Sequence, residues 1–176
     1  MPSEEAGDKA KGIIRSVNAQ FDADTTPFRS LTEEKQGFNK YHISLTKLFF
    51  LRDFQISPFV SSVRNAVRAS PFQVTLSSPH VFTNEDKTRS FCSVLVQRGF
   101  NSVVKIIRQL DAVLEKYKKD TYYSPPIPHC TIGSCVGDKS EKAKELGIYG
   151  NDVEEEDEYD SDDEDCIEFE VDAFYL

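Results

Sequence analysis

The stretch His129-Cys130-Thr131-Ile132 repeats a pattern that first occurs far earlier in the chain as His42-Ile43-Ser44-Leu45. Each string consists of a histidine, a spacer residue, a hydroxyl residue and an aliphatic residue. The 176-residue chain has 3 histidines, so the two strings hold all but one of them. Two imidazoles and two hydroxyls can build one phosphate site, because imidazole exchanges protons near neutral pH and hydroxyls donate hydrogen bonds to phosphate oxygens.

Both strings lie in runs that are typical of strands. Residues 41–51 are β-rich and partly alternating, which predicts a strand with His42 and Ser44 on one face and their aliphatic neighbours on the other. A second strand, from His129 to about Cys135, would place His129 and Thr131 on one face in the same way. The polar side chains of both strands could therefore line a groove while the aliphatic ones enter the core.

The remaining pattern predicts further helices and strands around these two. We expect one short helix within 13–40, a helix over 57–69 that begins with Ser57 as N-cap and Pro58 at its first position, and a longer helix from Asn101 or Ser102 to about Tyr117. The other predicted elements are strands over 72–76, 80–83, 90–97 and 166–171 and a helical stretch over 139–146.

This order of elements predicts an α+β protein. One string opens the first strand and the other opens a late one, which suggests two similar lobes, each with a small antiparallel sheet and flanking helices, facing one another across a central cleft. We expect residues 1–12 to be disordered and one domain to cover 13–150. Residues 151–165 form an acidic low-complexity insert, predicted to be disordered, and 166–176 hold the last strand of the domain.

Charge is distributed unevenly along the chain, whose net charge is −9. Residues 145–176 contain 15 acidic side chains and no lysine or arginine, so the rest of the chain is net basic. A basic body is compatible with a polyanionic partner such as nucleic acid, and equally with a solvated surface beside an unrelated acidic segment.

The 4 cysteines favour neither a disulfide framework nor a metal site. No pair has CxxC spacing, and Cys92 and Cys130 sit in apolar runs, so we interpret them as packed, reduced cysteines of an intracellular protein. Neither cysteines nor histidines show zinc-ligand spacing, and we expect no metal and no cofactor. No apolar run approaches the roughly 18 residues that a membrane helix needs, and the polar N-terminus lacks a signal peptide's apolar region.

Two histidines can cleave an RNA phosphodiester without a metal ion. One takes a proton from the attacking hydroxyl and the other gives a proton to the leaving oxygen. Lys47, Lys87 or Arg89 could add positive charge nearby. Serine and threonine are common, so the pattern alone leaves open a chance match. His80 lacks such a context and is predicted to be structural or on the surface.

The strings HISL and HCTI resemble the paired motifs of the two-histidine (2H) phosphoesterase superfamily. More narrowly, four stretches resemble the eukaryotic U6 snRNA phosphodiesterases, a family of 3′-to-5′ exoribonucleases that trim the oligouridine tail of spliceosomal U6 RNA. These stretches are YHISLTK (41–47), SPFVSSVRNAVR (57–68), VFTNEDKTRSF (81–91) and TYYSPPIPHCTIGSCVGD (121–138). The resemblance covers about 41–138, the basic body of the chain, and it implies the bilobal 2H phosphoesterase fold.

The resemblance implies a catalytic pair, with His42 as proton acceptor and His129 as proton donor. Ser44 and Thr131 would hold the phosphate. The 2′-OH of the RNA would attack its own 3′ phosphate, release the last nucleoside and leave a 2′,3′-cyclic phosphate, which some members open to a terminal phosphate.

The resemblance also implies a pocket for the terminal base. Tyr123 would stack on this base, and Pro125, Ile127 and Pro128 would close the same pocket. Glu85 falls where family members place a polar residue near the uracil.

The implied partner is the 3′ end of U6 snRNA, bound by a nuclear protein that is monomeric and does not contact a membrane. Two alternatives stay open from the sequence. One is a 2H phosphoesterase for another substrate, such as a cyclic nucleotide or a 2′,5′-linked oligonucleotide. The other is a non-catalytic RNA-binding or splicing-assembly protein on the same scaffold, suggested by the basic body.

Overall fold

An antiparallel sheet forms the centre of the chain in its computed structural model, which describes residues 4–22, 25–32, 41–149 and 167–171. Its strands are β1 Arg29–Ser30, β2 Phe72–Thr83, β3 Arg89–Val96, β4 His129–Val136 and β5 Ile167–Val171. They lie in the order β1-β4-β3-β2-β5, and every neighbouring pair is antiparallel. The two longest ladders join β3 to β2 and to β4, so these three strands hold the sheet together.

Four helices are described besides the sheet: α1 Glu4–Asn18, α2 Asp53–Ala66, α3 Phe100–Lys116 and α4 Ser140–Glu145. Helix α3 begins directly after Gly99, whose φ of +83° is a left-handed conformation that favours glycine. Helix α2 packs on α3 in a small cluster that includes the buried Val63 and Ile106. None of the described helices is long and apolar enough to cross a lipid bilayer.

The hydrophobic core lies on one face of the sheet. In β3 the side chains of Cys92 and Val94 are fully buried in this core, and Ser93 lies between them and points to the other face because strand side chains alternate. Ile14 of α1 and Ile107 of α3 belong to the same buried cluster, so these two helices cover the apolar face.

The prediction of disorder over residues 1–12 is wrong from Glu4 onward, because α1 already includes these residues. Its buried positions recur at helical spacing, as in Ala6, Ala10, Ile14 and Val17, and they join the main core. Burial of this apolar stripe against the sheet stabilises a helix whose small and charged residues give only a weak pattern in the sequence.

Helices α2 and α3 begin earlier than predicted. Helix α2 starts at Asp53 rather than after Ser57, because the side chain of Gln55 accepts a hydrogen bond of 3.0 Å from the backbone N–H of Arg52 and caps the helix there. Pro58 consequently lies inside the helix. Helix α3 starts at Phe100 after Gly99, not after Asn101 or Ser102.

The described residues form one sheet instead of the two predicted sheets. The runs 72–76 and 80–83 are a single strand, β2, with a register shift between Ser77 and Pro79 where Ser78 adopts a φ of +57°. Residues 41–51 are not a strand. They pair with the sheet at one bridge only, between Ile43 and Cys130. On one side of the bridge β4 begins at His129, and on the other side its edge from Ile132 onward bonds to Leu31 and β1.

The α+β class is confirmed, with an antiparallel sheet and helices packed on it. The bilobal pseudo-symmetry stays a prediction. The acidic insert 151–165 lies outside the described residues, and β5 falls within the predicted final segment 166–176.

Candidate active site

The two histidine strings meet at the centre of the candidate site. Ile43 and Cys130, the spacer residues of the two strings, form an antiparallel bridge. In this register, residues on either side of the bridge lie opposite each other, so His42 faces Thr131 and Ser44 faces His129. Each histidine therefore lies across from the hydroxyl residue of the other string.

The side chains of the first string alternate even though it is not a strand. His42 and Ser44 are exposed, whereas Ile43 and Leu45 are half-buried and pack against the main core. The thiol of Cys130 is buried beside the backbone of His42. Burial raises the pKa of this thiol to about 11, and a hydrogen bond with the His42 backbone opposes part of that rise. The thiol is therefore a neutral packing group at physiological pH.

The ring of His129 is fixed by the loop that precedes β4. Its Nδ1 donates a hydrogen bond of 2.8 Å to the carbonyl oxygen of Ile127, which also accepts one of 3.3 Å from the hydroxyl of Tyr122. Phe82 stacks on the other side of the imidazole, with 4.4 Å between ring centroids and 26° between ring planes. A carbonyl can only accept, so Nδ1 carries the hydrogen and Nε2 is the nitrogen available for proton transfer.

The surroundings of His129 favour its neutral form. Burial lowers the pKa of this imidazole, the hydrogen bond to Ile127 raises it, and the nearby charges of His80 and His42 lower it further. The net direction is downward. All three histidines of the chain therefore act on one electrostatic site.

His80 and Ser93 are the residues of this site that sequence reasoning missed. In the ladders His80 of β2 lies opposite Ser93 of β3, which in turn lies opposite Thr131 of β4. The hydroxyls of Ser93 and Thr131 share a hydrogen bond of 3.0 Å. The only signal in the sequence was the scarcity of histidine, since the register that aligns these three strands cannot be deduced from local patterns.

Tyr123 lies at the rim of the site, with 56% of its surface exposed. The ammonium of Lys47 sits 4.5 Å from the centre of its ring. This contact joins the segment after the first string to the loop before the second. Pro125 is exposed in that loop and Pro128 is buried, and the carbonyl of Pro128 accepts a hydrogen bond of 2.9 Å from the backbone of Val96.

The structure does not bring Glu85 to the two strings. This residue is exposed in the turn between β2 and β3, and the ladder places that turn beside Val136, at the end of β4 away from His129. The turn itself is held by Asn84, whose side chain accepts hydrogen bonds from the backbone of Thr88 and Arg89. A contact of Glu85 with uracil stays a prediction.

The described residues offer no group of three or more His, Cys, Asp or Glu side chains that could hold a metal ion. The groups that the site offers are imidazoles, hydroxyls and one lysine. This set can move protons and bind an anionic oxygen at the same place.

Comparison with known proteins gives a family and a set of relatives. A family model named HVSL, described as an uncharacterised conserved protein, matches residues 1–175. The chain is 32% identical to U6 snRNA phosphodiesterase 1 of Xenopus laevis over 107 residues, which are 60% of this chain and 43% of that protein. It is 30% identical to the Homo sapiens protein of that name over 99 residues, 56% of this chain and 37% of that one. The chain thus matches less than half the length of these relatives.

Two solved structures share the fold. Usb1 of Kluyveromyces marxianus superposes with a TM-score of 0.58 at 19% identity, covering 82% of this chain and 74% of that one. The same protein with uridine monophosphate gives 0.59 at 21% identity, covering 82% and 73%. This likeness confirms the architecture of a sheet with helices packed on it.

Proposed function

The chain belongs to the HVSL family, and from this premise we propose that it is a metal-independent 3′-to-5′ RNA exonuclease that trims the oligouridine tail of U6 snRNA. The relatives named U6 snRNA phosphodiesterase 1 support the substrate, and the structure of a protein with the same fold bound to uridine monophosphate is compatible with it. A nuclear location and a monomeric state are part of this proposal.

The observation that carries the proposal is the bridge between Ile43 and Cys130. It joins two segments that are far apart in the sequence, at the spacer of each string, and its register puts each histidine across from the hydroxyl residue of the other string. A chance pair of His-x-Ser/Thr strings would have no reason to meet in this register.

The reaction begins with proton removal from the 2′-OH of the penultimate nucleotide. The oxygen attacks the adjacent phosphorus, the bond from phosphorus to the 5′ oxygen of the last nucleoside breaks, and the second histidine protonates that oxygen. The products are a nucleoside and a 2′,3′-cyclic phosphate. The same pair in reversed roles could open the ring with water to leave a terminal phosphate.

We assign the proton acceptor to His129 and the donor to His42. The lowered pKa of His129 keeps its Nε2 unprotonated, as an acceptor requires, and its Nδ1 hydrogen bond holds the ring in place. The resemblance to the family implies the opposite assignment. The two assignments predict different results with a substrate whose leaving group needs no proton, because only the variant that lacks the proton donor would recover activity.

The other site residues would bind the substrate. In this proposal the hydroxyls of Ser44 and Thr131 donate hydrogen bonds to the non-bridging phosphate oxygens, where charge builds up in the transition state. Thr131 is held in position by Ser93. Tyr123 offers an exposed ring for stacking on the last base, and Lys47 brings a positive charge next to it.

We expect the full chain to shorten an oligouridine-tailed RNA in the presence of EDTA, one nucleotide at a time. A matched RNA whose penultimate nucleotide lacks the 2′-OH should resist, because it has no nucleophile. Gel analysis of both RNAs checks this. Cleavage of the deoxy substrate, or loss of activity in EDTA, would contradict the mechanism, and binding without any cleavage between about pH 5 and 8 would favour the non-catalytic alternative.

The pH dependence of the reaction should respond to His80. As acceptor, His129 must be neutral, so kcat/KM falls as the pH drops through its pKa. His80→Gln removes one of the charges that lower this pKa, so the pKa of His129 should rise and the acidic limb should move to higher pH.

The matched control for this shift is Lys87→Gln, which also removes one positive charge from the β2–β3 unit. Lys87 pairs with Asp138 at 3.4 Å and is not among the groups that shift the pKa of His129. The pH profile of kcat/KM and an NMR titration of the histidine rings both report the pKa of His129. If the acidic limb is unchanged in His80→Gln, or if it shifts equally in both variants, His80 does not act on His129.

A further inference from the structure

A groove lies between the outer face of α3 and the proline-rich loop that precedes β4. Its volume is about 620 Å³, which is large enough for more than one nucleotide-sized group. The walls include Phe100, Lys105, Arg108 and Gln109 of α3 and Pro125 and Pro126 of the loop. None of the residues assigned above to proton transfer or phosphate binding lines it, whereas Pro125 and Ile127 also belong to the pocket that the resemblance implies for the terminal base.

The groove carries positive charge without matching negative charge. Lys105 and Arg108 are exposed on neighbouring positions of α3, one turn apart, and neither makes an ion pair with a residue that the structure describes. The only carboxylate of α3 near this face, Asp111, accepts a hydrogen bond of 2.8 Å from the backbone of Tyr122. The groove therefore attracts an anion.

The same groove also offers flat apolar surfaces and one side-chain amide. Phe100 is half-buried at one end, and Pro125 and Pro126 form the opposite wall. Gln109 is anchored by accepting a hydrogen bond of 3.0 Å from the backbone of Arg68. Positive side chains beside surfaces on which bases can stack are the combination that binds single-stranded nucleic acid.

The groove and the candidate active site share the loop that precedes β4. Ile127 contributes to the wall of the groove, and the carbonyl of the same residue holds His129. From Pro125 to His129 an extended chain spans at most ~14 Å. At ~3.4 Å per stacked nucleotide this corresponds to about four nucleotides.

We propose that this groove binds the RNA strand a few nucleotides upstream of the cleaved 3′ end, with Lys105 and Arg108 on its phosphates. The inference rests on the proposed function for the identity of the strand. It makes the enzyme sensitive to substrate length, because a dinucleotide fills the active site without reaching α3.

The test compares Lys105→Ala/Arg108→Ala with Lys116→Ala/Lys118→Ala. Both variants lose two exposed positive charges at or near α3, and only the first pair lines the groove. For a twelve-nucleotide oligouridine we expect the groove variant to raise KM about tenfold with kcat unchanged. The dinucleotide UpU should be cleaved alike by all three proteins.

Direct binding gives a readout that does not depend on cleavage. The probe is a labelled twelve-nucleotide oligouridine with 2′-deoxyribose at its penultimate position. The dependence of log Kd on log salt concentration should become shallower by about 1.4 in the groove variant, since each lost contact to a single strand removes about 0.7.

Each outcome decides a separate point. If the groove variant and its control bind the long RNA equally, or if the groove variant loses activity on UpU to the same extent, the groove is not an upstream RNA site. If the wild type cleaves neither RNA, the proposed function fails. The groove inference is then judged by the binding measurement alone, and equal binding overturns it.

Discussion

Replacing His129 or His42 with alanine is expected to lower kcat on oligouridine RNA by about 10²–10⁴-fold, because each variant loses one of the two proton transfers. KM should change little, since the hydroxyls of Ser44 and Thr131 remain in place. Rapid-quench measurement of single turnovers separates this chemical step from RNA binding. Unfolding curves of both variants check that the loss is not one of stability.

A modified substrate tells the two histidines apart. If sulfur replaces the bridging 5′ oxygen of the last nucleoside, the leaving group is a thiolate, which departs without protonation because thiols are far more acidic than alcohols. His42→Ala should then approach wild-type rates, whereas His129→Ala should stay impaired. Rescue of His129→Ala in place of His42→Ala would reverse our assignment, and rescue of neither would contradict acid catalysis by this pair.

Gly99→Ala is expected to cost about 2–5 kcal/mol of folding free energy, the largest cost among the glycines that the structure describes. The new Cβ would lie 2.5 Å from the backbone oxygen of Gln73, at a φ of +83° that is already strained for alanine. Neither the start of α3 nor the backbone of β2 can move without disturbing the core. Such a cost is a large part of the roughly 5–15 kcal/mol that stabilises a typical domain.

Gly147→Ala is the matched control, because it isolates the strain from the clash. Gly147 has a φ of +70°, and a Cβ there would meet nothing within 4 Å. We expect a cost of about 1–2 kcal/mol from conformation alone. Urea unfolding of both variants gives the comparison. Equal costs would mean that β2 and the start of α3 adjust freely to each other.

The elements predicted correctly from the sequence are those with a strong local pattern. Strand β3 and helix α3 fall close to their predicted ranges, because β3 is a short apolar run and the apolar residues of α3 repeat at helical spacing. The part of helix α1 before residue 13 was missed, since its buried side chains are small and mixed with charges. Residues 41–51 have the pattern of a strand, and their pairing is limited by the start of β4 at His129 and by β1 farther along the same edge, which no local pattern reveals.

Some residues of the candidate site could likewise be predicted from a local pattern, and others could not. His42 and His129 could be predicted because each carries its hydroxyl partner two residues away, within one local string. His80 and Ser93 could not, since their link to Thr131 runs across three strands and depends on register. The structure also separates Glu85 from the strings, although it follows the same strand as His80.

The bridge between Ile43 and Cys130 shows that the spacer residues of the two strings have a structural role. Read singly, each spacer is a position that any apolar residue could fill. Read together, they pair two distant parts of the chain, and the backbone bridge between them sets the register in which each histidine lies across from a hydroxyl residue. The alignment of the candidate active site therefore depends on two residues whose side chains face away from it, toward the core.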